Sequence, residues 1–233
     1  MPSETRYLFE ADEYVQEDSD RQKNVLAKII LGIPERIKYD TFLDFDKKIF
    51  ITRDPRHWIV SGTLFLMQQV KEVYADSKNL HEILNILRKK EKDPASYSLV
   101  SILDKVYRAQ DKGVYAIKEM IEKMHPWLFK FESKLNNYFK LKYEDFVSNK
   151  INGLEDYLGI ALKKQFSIDP KHSHVVRTKY YGDWKNWFTK EDVDFFKSLF
   201  RDYINYYEYD DDWTINKVQY ISPENCSGYV ERV

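Results

Sequence analysis

The chain has 233 residues, 43% of them hydrophobic and 16% aromatic, which is enough for one large α/β domain with a real core, and its 32% charged residues suit an ordinary soluble surface. With 37 basic and 38 acidic residues the formal net charge is -1, so bulk electrostatics argue for neither a nucleic-acid nor a membrane partner, and any basic site must be local. The single cysteine, Cys226, excludes an internal disulfide framework and suits a reducing, cytoplasmic setting; no run approaches about 18 consecutive apolar residues, and the acidic opening "MPSETRYLFEADEYVQEDSD" lacks the order of a signal peptide.

Taken in chain order, "NVLAKIIL" (24–31) is a short apolar run closed by Gly32 and Pro34 and reads as a buried strand. "KKIFIT" (47–52) is the clearer strand, β-branched and aromatic, of the continuous kind expected in a parallel sheet covered on both faces. Pro55 follows at once, and Trp58, Ile59, Leu64, Leu66, Met67 and Val70 recur near helical spacing, which predicts a direct strand-to-helix junction. The middle of the chain is helical: "LHEILNILRKKEK" places Leu80, Ile83, Leu84 and Leu87 on one face, and the pattern continues through residue 135. The charge run "RKKEKD" (88–93) reads as a solvated helix end. "NYFKLKYEDF" (137–146) alternates its aromatics and predicts another strand, ending in Tyr143-Glu144-Asp145. Two further helices follow, the second capped by Thr189 with acidic residues in its first turn.

The chemistry concentrates at the junction "ITRDPRHWIVSG" (51–62). An arginine leaving a strand tip and a serine on the following helix can converge on one compact anion, beside the unpaired N–H groups of the helix's first turn. The plainer alternative pairs Arg53 with Asp54 or another carboxylate. Later, Arg177 and Lys179 stand just ahead of a Gly182-Asp183-Trp184 turn and can fold over a polyanion, Gly182 allowing a backbone angle that other residues resist. Trp184 and Trp187 are either loop anchors or ligand contacts. His57 is either a ligand contact or an ordinary helix-start residue; His172 and His174 have no third ligand at metal spacing.

Three of these segments resemble, in order, motifs of the sulfotransferase superfamily, whose members use 3'-phosphoadenosine 5'-phosphosulfate. "RDPRHWIVS" is similar to the family's 3'-phosphate motif, with Arg53 and Ser61 at the matching positions; "LKYEDF" resembles its "YED" segment, whose tyrosine, here Tyr143, lies by the cofactor; "VVRTKYYGDWKNWFT" (175–189) resembles its carboxy-terminal cofactor loop, Thr178-Lys179 standing where Lys-Gly is common. The resemblance implies a single domain over 1–233 of α/β class: a P-loop-like three-layer fold, its short central parallel sheet flanked by many helices, with a helical insert from about 76 to 136 shaping the acceptor pocket. It implies transfer of a sulfuryl group to a hydroxyl or amine of a small molecule or carbohydrate, adenosine 3',5'-bisphosphate as product, no metal, and cofactor contacts from Arg53, Ser61, Tyr143, Arg177, Lys179, Gly182 and Trp184.

One part of the pattern is missing. The family's first strand ends in a glycine-rich loop of the type "PKSGT" that binds the 5'-phosphosulfate, and none of the 7 glycines here belongs to one. The expectation is a bacterial-type member lacking its first strand and that loop, with Met1 either internal to a longer protein or the start of a naturally truncated one. Cytosolic members draw their base from a histidine on the strand before the phosphate motif, and "LAKIIL" has none; other branches use a glutamate, which points to Glu10, with Asp12 and Glu13 as rivals. Alternatives are a non-catalytic relative that binds the bisphosphate or a partner, and an unrelated nucleotide kinase, disfavoured by the absence of a "GxxxxGK[ST]" segment.

Overall fold

A computed structural model describes residues 5–18, 20, 23–69, 77–108, 113, 115–162, 176–178 and 180–232. The fold is mixed α/β and divides into two compact units, one comprising 1–50 and 122–140 and the other 51–121 and 141–233. Among the described residues the strands form two two-stranded sheets.

In the first unit, β1 (Thr5–Phe9) runs parallel to β2 (Asn24–Lys28), with Tyr7 opposite Leu26 and Phe9 opposite Lys28. The sequence presents β1 only as an aromatic-acidic link, because its parallel partner lies a crossover away and leaves no hairpin signature. The crossover is organised on Asp20, whose Oδ2 accepts from Arg6 Nη1 (2.7 Å), the Tyr14 hydroxyl (3.1 Å) and the Glu17 amide (2.9 Å). An aromatic core follows: Tyr39 packs on Trp127 (4.6 Å between centroids) and Phe131 (5.1 Å), and its hydroxyl donates to the Ile30 carbonyl. Gly32 has φ +93°, and a Cβ there would meet Met124 Cγ and Sδ at 2.9 Å, so both backbone and packing require glycine.

β3 (Lys48–Thr52) pairs with β4 (Tyr138–Lys142). Contrary to the expectation of a strand covered on both faces, Phe50 and Thr52 are buried while Ile49 and Ile51 are exposed: the strand's period of two sorts its residues onto one covered and one open face. The strand expected to run through Tyr143-Glu144-Asp145 instead stops at Lys142. Those residues open α5 (Tyr143–Val147), where Glu144 and Asp145 suit a helix's positive end better than a ladder.

The second unit is chiefly helical. It contains α1 (Pro55–Gln69), α2 (Ser77–Lys92), α3 (Leu99–Arg108), the first part of α4 (Tyr115–Glu132), α6 (Leu154–Leu158), α7 (Trp184–Trp187), α8 (Lys190–Tyr206) and α9 (Ser227–Glu231). Its core joins Ile59, Val60 and Leu64 of α1 to Leu87, Leu99, Val106, Phe196, Phe200 and Tyr229. Thr189 caps α8 as expected, in a full capping box: its hydroxyl accepts from the Asp192 amide, and Asp192 Oδ2 accepts from the Thr189 amide (2.8 Å). Asp192 also accepts from the Val100 amide at 2.8 Å, which ties α8 to α3. Among the described residues no helix is long and apolar enough to cross a membrane.

Candidate functional site

The site begins with the way α1 starts. Asp54 is the last non-helical residue, Pro55 supplies a first-turn position that needs no N–H, and the Asp54 carbonyl accepts from the amides of His57 (3.1 Å) and Trp58 (2.9 Å). Asp54 Oδ1 accepts from the Arg56 amide at 2.9 Å. The Arg56 guanidinium then takes the same carboxylate through Nε (2.9 Å) and Nη2 (2.8 Å), and donates onward to the carbonyls of Asp212 and Asp210 (2.7 Å each). It lies over the rings of Trp184 (4.6 Å) and Trp213 (5.2 Å). Asp54 therefore belongs to Arg56, and Arg53 has no carboxylate within ion-pair distance among the described residues, which removes the plain Arg53–Asp54 pairing.

Arg53 turns instead toward Ser61. Its Nη2 lies 3.4 Å from Ser61 Oγ, and Arg177 Nε donates to the same oxygen at 3.2 Å, so two guanidiniums from positions far apart in sequence converge on one hydroxyl. Two turns of α1 separate Ser61 from the strand tip, and this brings its hydroxyl back beside Arg53. Tyr143, first residue of α5, supports the Arg53 guanidinium from below at 4.4 Å. Burial, with Arg177 close by, lowers the pKa of Arg53, and its Nε is buried without a partner among the described residues. The backbone beneath is fixed by Glu144, whose Oε1 accepts from the Asp54 amide (2.9 Å) and whose Oε2 lies 3.3 Å from the Tyr209 hydroxyl.

Arg177 is 7% exposed and is held by Asp183, Nη2 to Oδ2 at 2.6 Å. The other oxygen of Asp183 lies 2.7 Å from His57 Nδ1. Both contacts are short but poorly aligned as hydrogen bonds, and that with Arg177 is chiefly an attraction of charge. Burial works to raise the Asp183 pKa, but His57 and Arg177 outweigh it and hold the carboxyl below its ordinary value. His57 is fully buried, and burial, reinforced by the two arginines, pushes its pKa below the ordinary histidine value against the pull of Asp183. Its Nε2 has no hydrogen-bond partner among the described residues.

The structure thus brings together Arg53, Ser61, Tyr143 and Arg177. Gly182, at φ +83°, makes the turn that delivers Asp183, and no atom of the described residues lies within 4 Å of where a Cβ would stand, so its role is conformational. Trp184 is 2% exposed and packs on Arg56, Phe188 (5.3 Å) and Trp213 (6.0 Å), which favours the anchor over the ligand contact. Lys179, like His172 and His174, lies outside the described residues. Glu10 belongs to the first unit; there it has φ +54°, and its Oε1 accepts from Lys28 Nζ at 2.7 Å. Asp183 is the residue that sequence reasoning passed over: it reads as a turn former in Gly-Asp-Trp, and only a partner arginine six positions earlier hints at more. Among the described residues no cluster of His, Cys, Asp or Glu could hold a metal ion.

In comparisons with known proteins, no family model matches the chain, and neither a curated protein nor a solved structure matches it at a significant level.

Proposed function

We propose that the Arg53–Ser61–Arg177 pocket binds the 3'-phosphate of adenosine 3',5'-bisphosphate and of its sulfuryl-donating form, 3'-phosphoadenosine 5'-phosphosulfate, and that the chain is a sulfotransferase-type protein with a P-loop-like three-layer fold. The observation that carries the reading is the convergence of two half-buried or buried guanidiniums on Ser61 Oγ, one of them, among the described residues, without a carboxylate in ion-pair reach and with an unpartnered Nε. Such donors are costly to bury unless an oxyanion engages them.

In this reading the donor, when bound, supplies an activated sulfuryl group for an acceptor hydroxyl or amine on a small molecule or carbohydrate. Arg53 and Arg177 clamp the 3'-phosphate, the Ser61 hydroxyl hydrogen-bonds between them, Tyr143 keeps the Arg53 fork in plane, and Asp183 stops Arg177 from swinging into solvent. Their work is positioning, which matters most where in-line transfer leaves the protein little covalent chemistry to perform. In this reading α2 and α3 shape the acceptor side, and the single buried cysteine accords with a reducing, cytoplasmic setting.

A second reading is favoured by one sequence feature: these 233 residues contain no glycine-rich phosphosulfate loop. Under it the chain binds the bisphosphate without catalysing transfer.

Calorimetric titration with adenosine 3',5'-bisphosphate beside ADP, at one ionic strength, tests the shared premise. The expected result is a preference of about thirtyfold or more for the bisphosphate, equivalent to about 2 kcal/mol from charge-assisted contacts to the 3'-phosphate. Equal affinity for the two, or binding of neither, overturns the pocket. A transfer assay with the sulfuryl donor and a panel of hydroxyl acceptors then separates the two readings.

A further inference from the structure

We propose that His57 is a proton-accepting positioning residue of this pocket: through Asp183 it holds Arg177 in place, and it takes up a proton when an oxyanion binds between Arg53 and Arg177. The inference rests on the anion-pocket reading above and adds the group that sets the pocket's charge.

His57 sits in the first turn of α1, one side chain removed from each guanidinium. Toward Arg177 the intermediary is Asp183, whose two oxygens lie 2.7 Å from His57 Nδ1 and 2.6 Å from Arg177 Nη2. Toward Arg53 it is Tyr143, whose ring stacks with the imidazole (centroids 6.4 Å, interplanar angle 22°) and carries the Arg53 guanidinium at 4.4 Å. A carboxylate oxygen 2.7 Å from Nδ1 favours, by its negative charge, the tautomer protonated there, and in that tautomer Nε2 is a buried lone pair with no donor among the described residues.

The charges facing His57 can be named from every side. The end of β3 contributes Arg53; the loop before α7 contributes Arg177 and Asp183; α5 contributes Tyr143, with Glu144 behind it, whose oxygens face the Asp54 amide and the Tyr209 hydroxyl; within α1, Arg56 is neutralised by Asp54. With a neutral imidazole, the two guanidiniums and one carboxylate nearest to it carry a net single positive charge. A bound dianion turns that into a net negative charge, and one proton on His57 restores balance. In a water-poor setting such a difference moves a pKa by more than it would at the surface. Repulsion from the arginines disfavours the imidazolium in the free protein, and an anion between them screens that repulsion, so the bound pKa lies above the free one. Over the interval between the two values, affinity rises as pH falls; above the bound value no proton moves.

Sulfate is the cleanest probe, because its charge is constant over this range whereas a phosphate ester titrates near pH 6. Histidine titrations of the full chain by NMR, with and without sulfate, read the His57 pKa directly, the imidazole being assigned through its contact with Tyr143. Sulfate is expected to raise that pKa, and the wild-type affinity for sulfate to increase by up to about tenfold per pH unit on acidification, with His57→Gln flat across the same range. If sulfate competes with the bisphosphate and yet leaves the His57 pKa unchanged, the inference fails and the pocket stands. If neither sulfate nor the bisphosphate binds, both fail. Should His57→Gln not fold, the wild-type titration alone decides.

Discussion

Arg53 and Arg56 stand three residues apart, carry the same charge, and are predicted to do opposite things when removed. Arg53 contributes little to the folded chain. Its hydrogen bond to Ser61 is long at 3.4 Å, its Nε is buried without a partner among the described residues, and it faces the guanidinium of Arg177. Against these stands the stack on Tyr143 at 4.4 Å, worth about 0.5–1 kcal/mol. Truncation in Arg53→Ala loses the stack and relieves an unsatisfied donor whose desolvation costs about 1–3 kcal/mol, so the net change in stability lies within about 1–2 kcal/mol of zero. For a chain of this size that is a melting shift of about 2–8 °C at most in either direction. The bisphosphate suffers the full loss of a charge-assisted contact, about 1.5–3 kcal/mol, or about 10- to 150-fold in affinity, while ADP binding stays level.

Arg56→Ala reverses the pattern. The side chain is 3% exposed, donates to Asp54 and to the carbonyls of Asp210 and Asp212, and lies over Trp184 and Trp213. Its removal strands the Asp54 carboxylate and two carbonyls, and breaking a buried pair of this kind costs about 3–5 kcal/mol, or about 6–20 °C in melting temperature. Thermal melts of both variants and calorimetry at a temperature where both are folded measure all four quantities. If Arg53→Ala destabilises as much as Arg56→Ala, Arg53 is a structural arginine and the pocket argument collapses.

Two further outcomes follow from local geometry. Gly182→Ala keeps open space for its methyl group but forces an L-residue to φ +83°, so it is expected to cost about 1–2 kcal/mol by urea denaturation and to weaken bisphosphate binding through displacement of Asp183; a loss above about 4 kcal/mol would show that the turn is packed rather than merely left-handed. Cys226 is fully buried, and burial, with Glu91 nearby, pushes its thiol pKa up, so a colourimetric disulfide reagent should leave the native protein unlabelled and react once denaturant is added; rapid labelling of the folded chain contradicts that placement.

Legibility in the sequence tracked how local each interaction is. The start of α1 could be read because Asp54 and Pro55 are adjacent and each has one preferred role there, and the Thr189–Asp192 box could be read as a cap for the same reason. The Arg53–Ser61 approach was readable because helical periodicity alone brings the two together. What could not be read was which arginine owns Asp54. Sequence distance slightly favours Arg53, and the choice is made by Trp184, Trp213 and two carbonyls, all more than a hundred residues away, which build a slot that fits Arg56. β1 escaped notice because a parallel partner leaves no turn signal, and the early end of β4 because the aromatic alternation runs on into α5.

The same point explains how Arg53 comes to have no ion-pair partner among the described residues. Around the strand tip, each carboxylate is already engaged in holding the fold. Asp54 starts α1 and holds Arg56, Glu144 pins the Asp54 amide beside Tyr209, and Asp183 divides its oxygens between Arg177 and His57. None of these three lies within ion-pair distance of Arg53, which Glu144 and Asp183 attract only from farther off and whose face is carried by an aromatic ring. A carboxylate placed against Arg53 would fill the position an oxyanion needs, whereas a ring stabilises the guanidinium's face and takes none of its N–H donors, leaving Nη2 toward Ser61 and Nε without an acceptor among the described residues. If Arg53 is a binding arginine as proposed, the arrangement gives up some stability in the free chain to keep one cation available, and Arg53→Ala with its stability retained is the signature that separates it from a structural arginine.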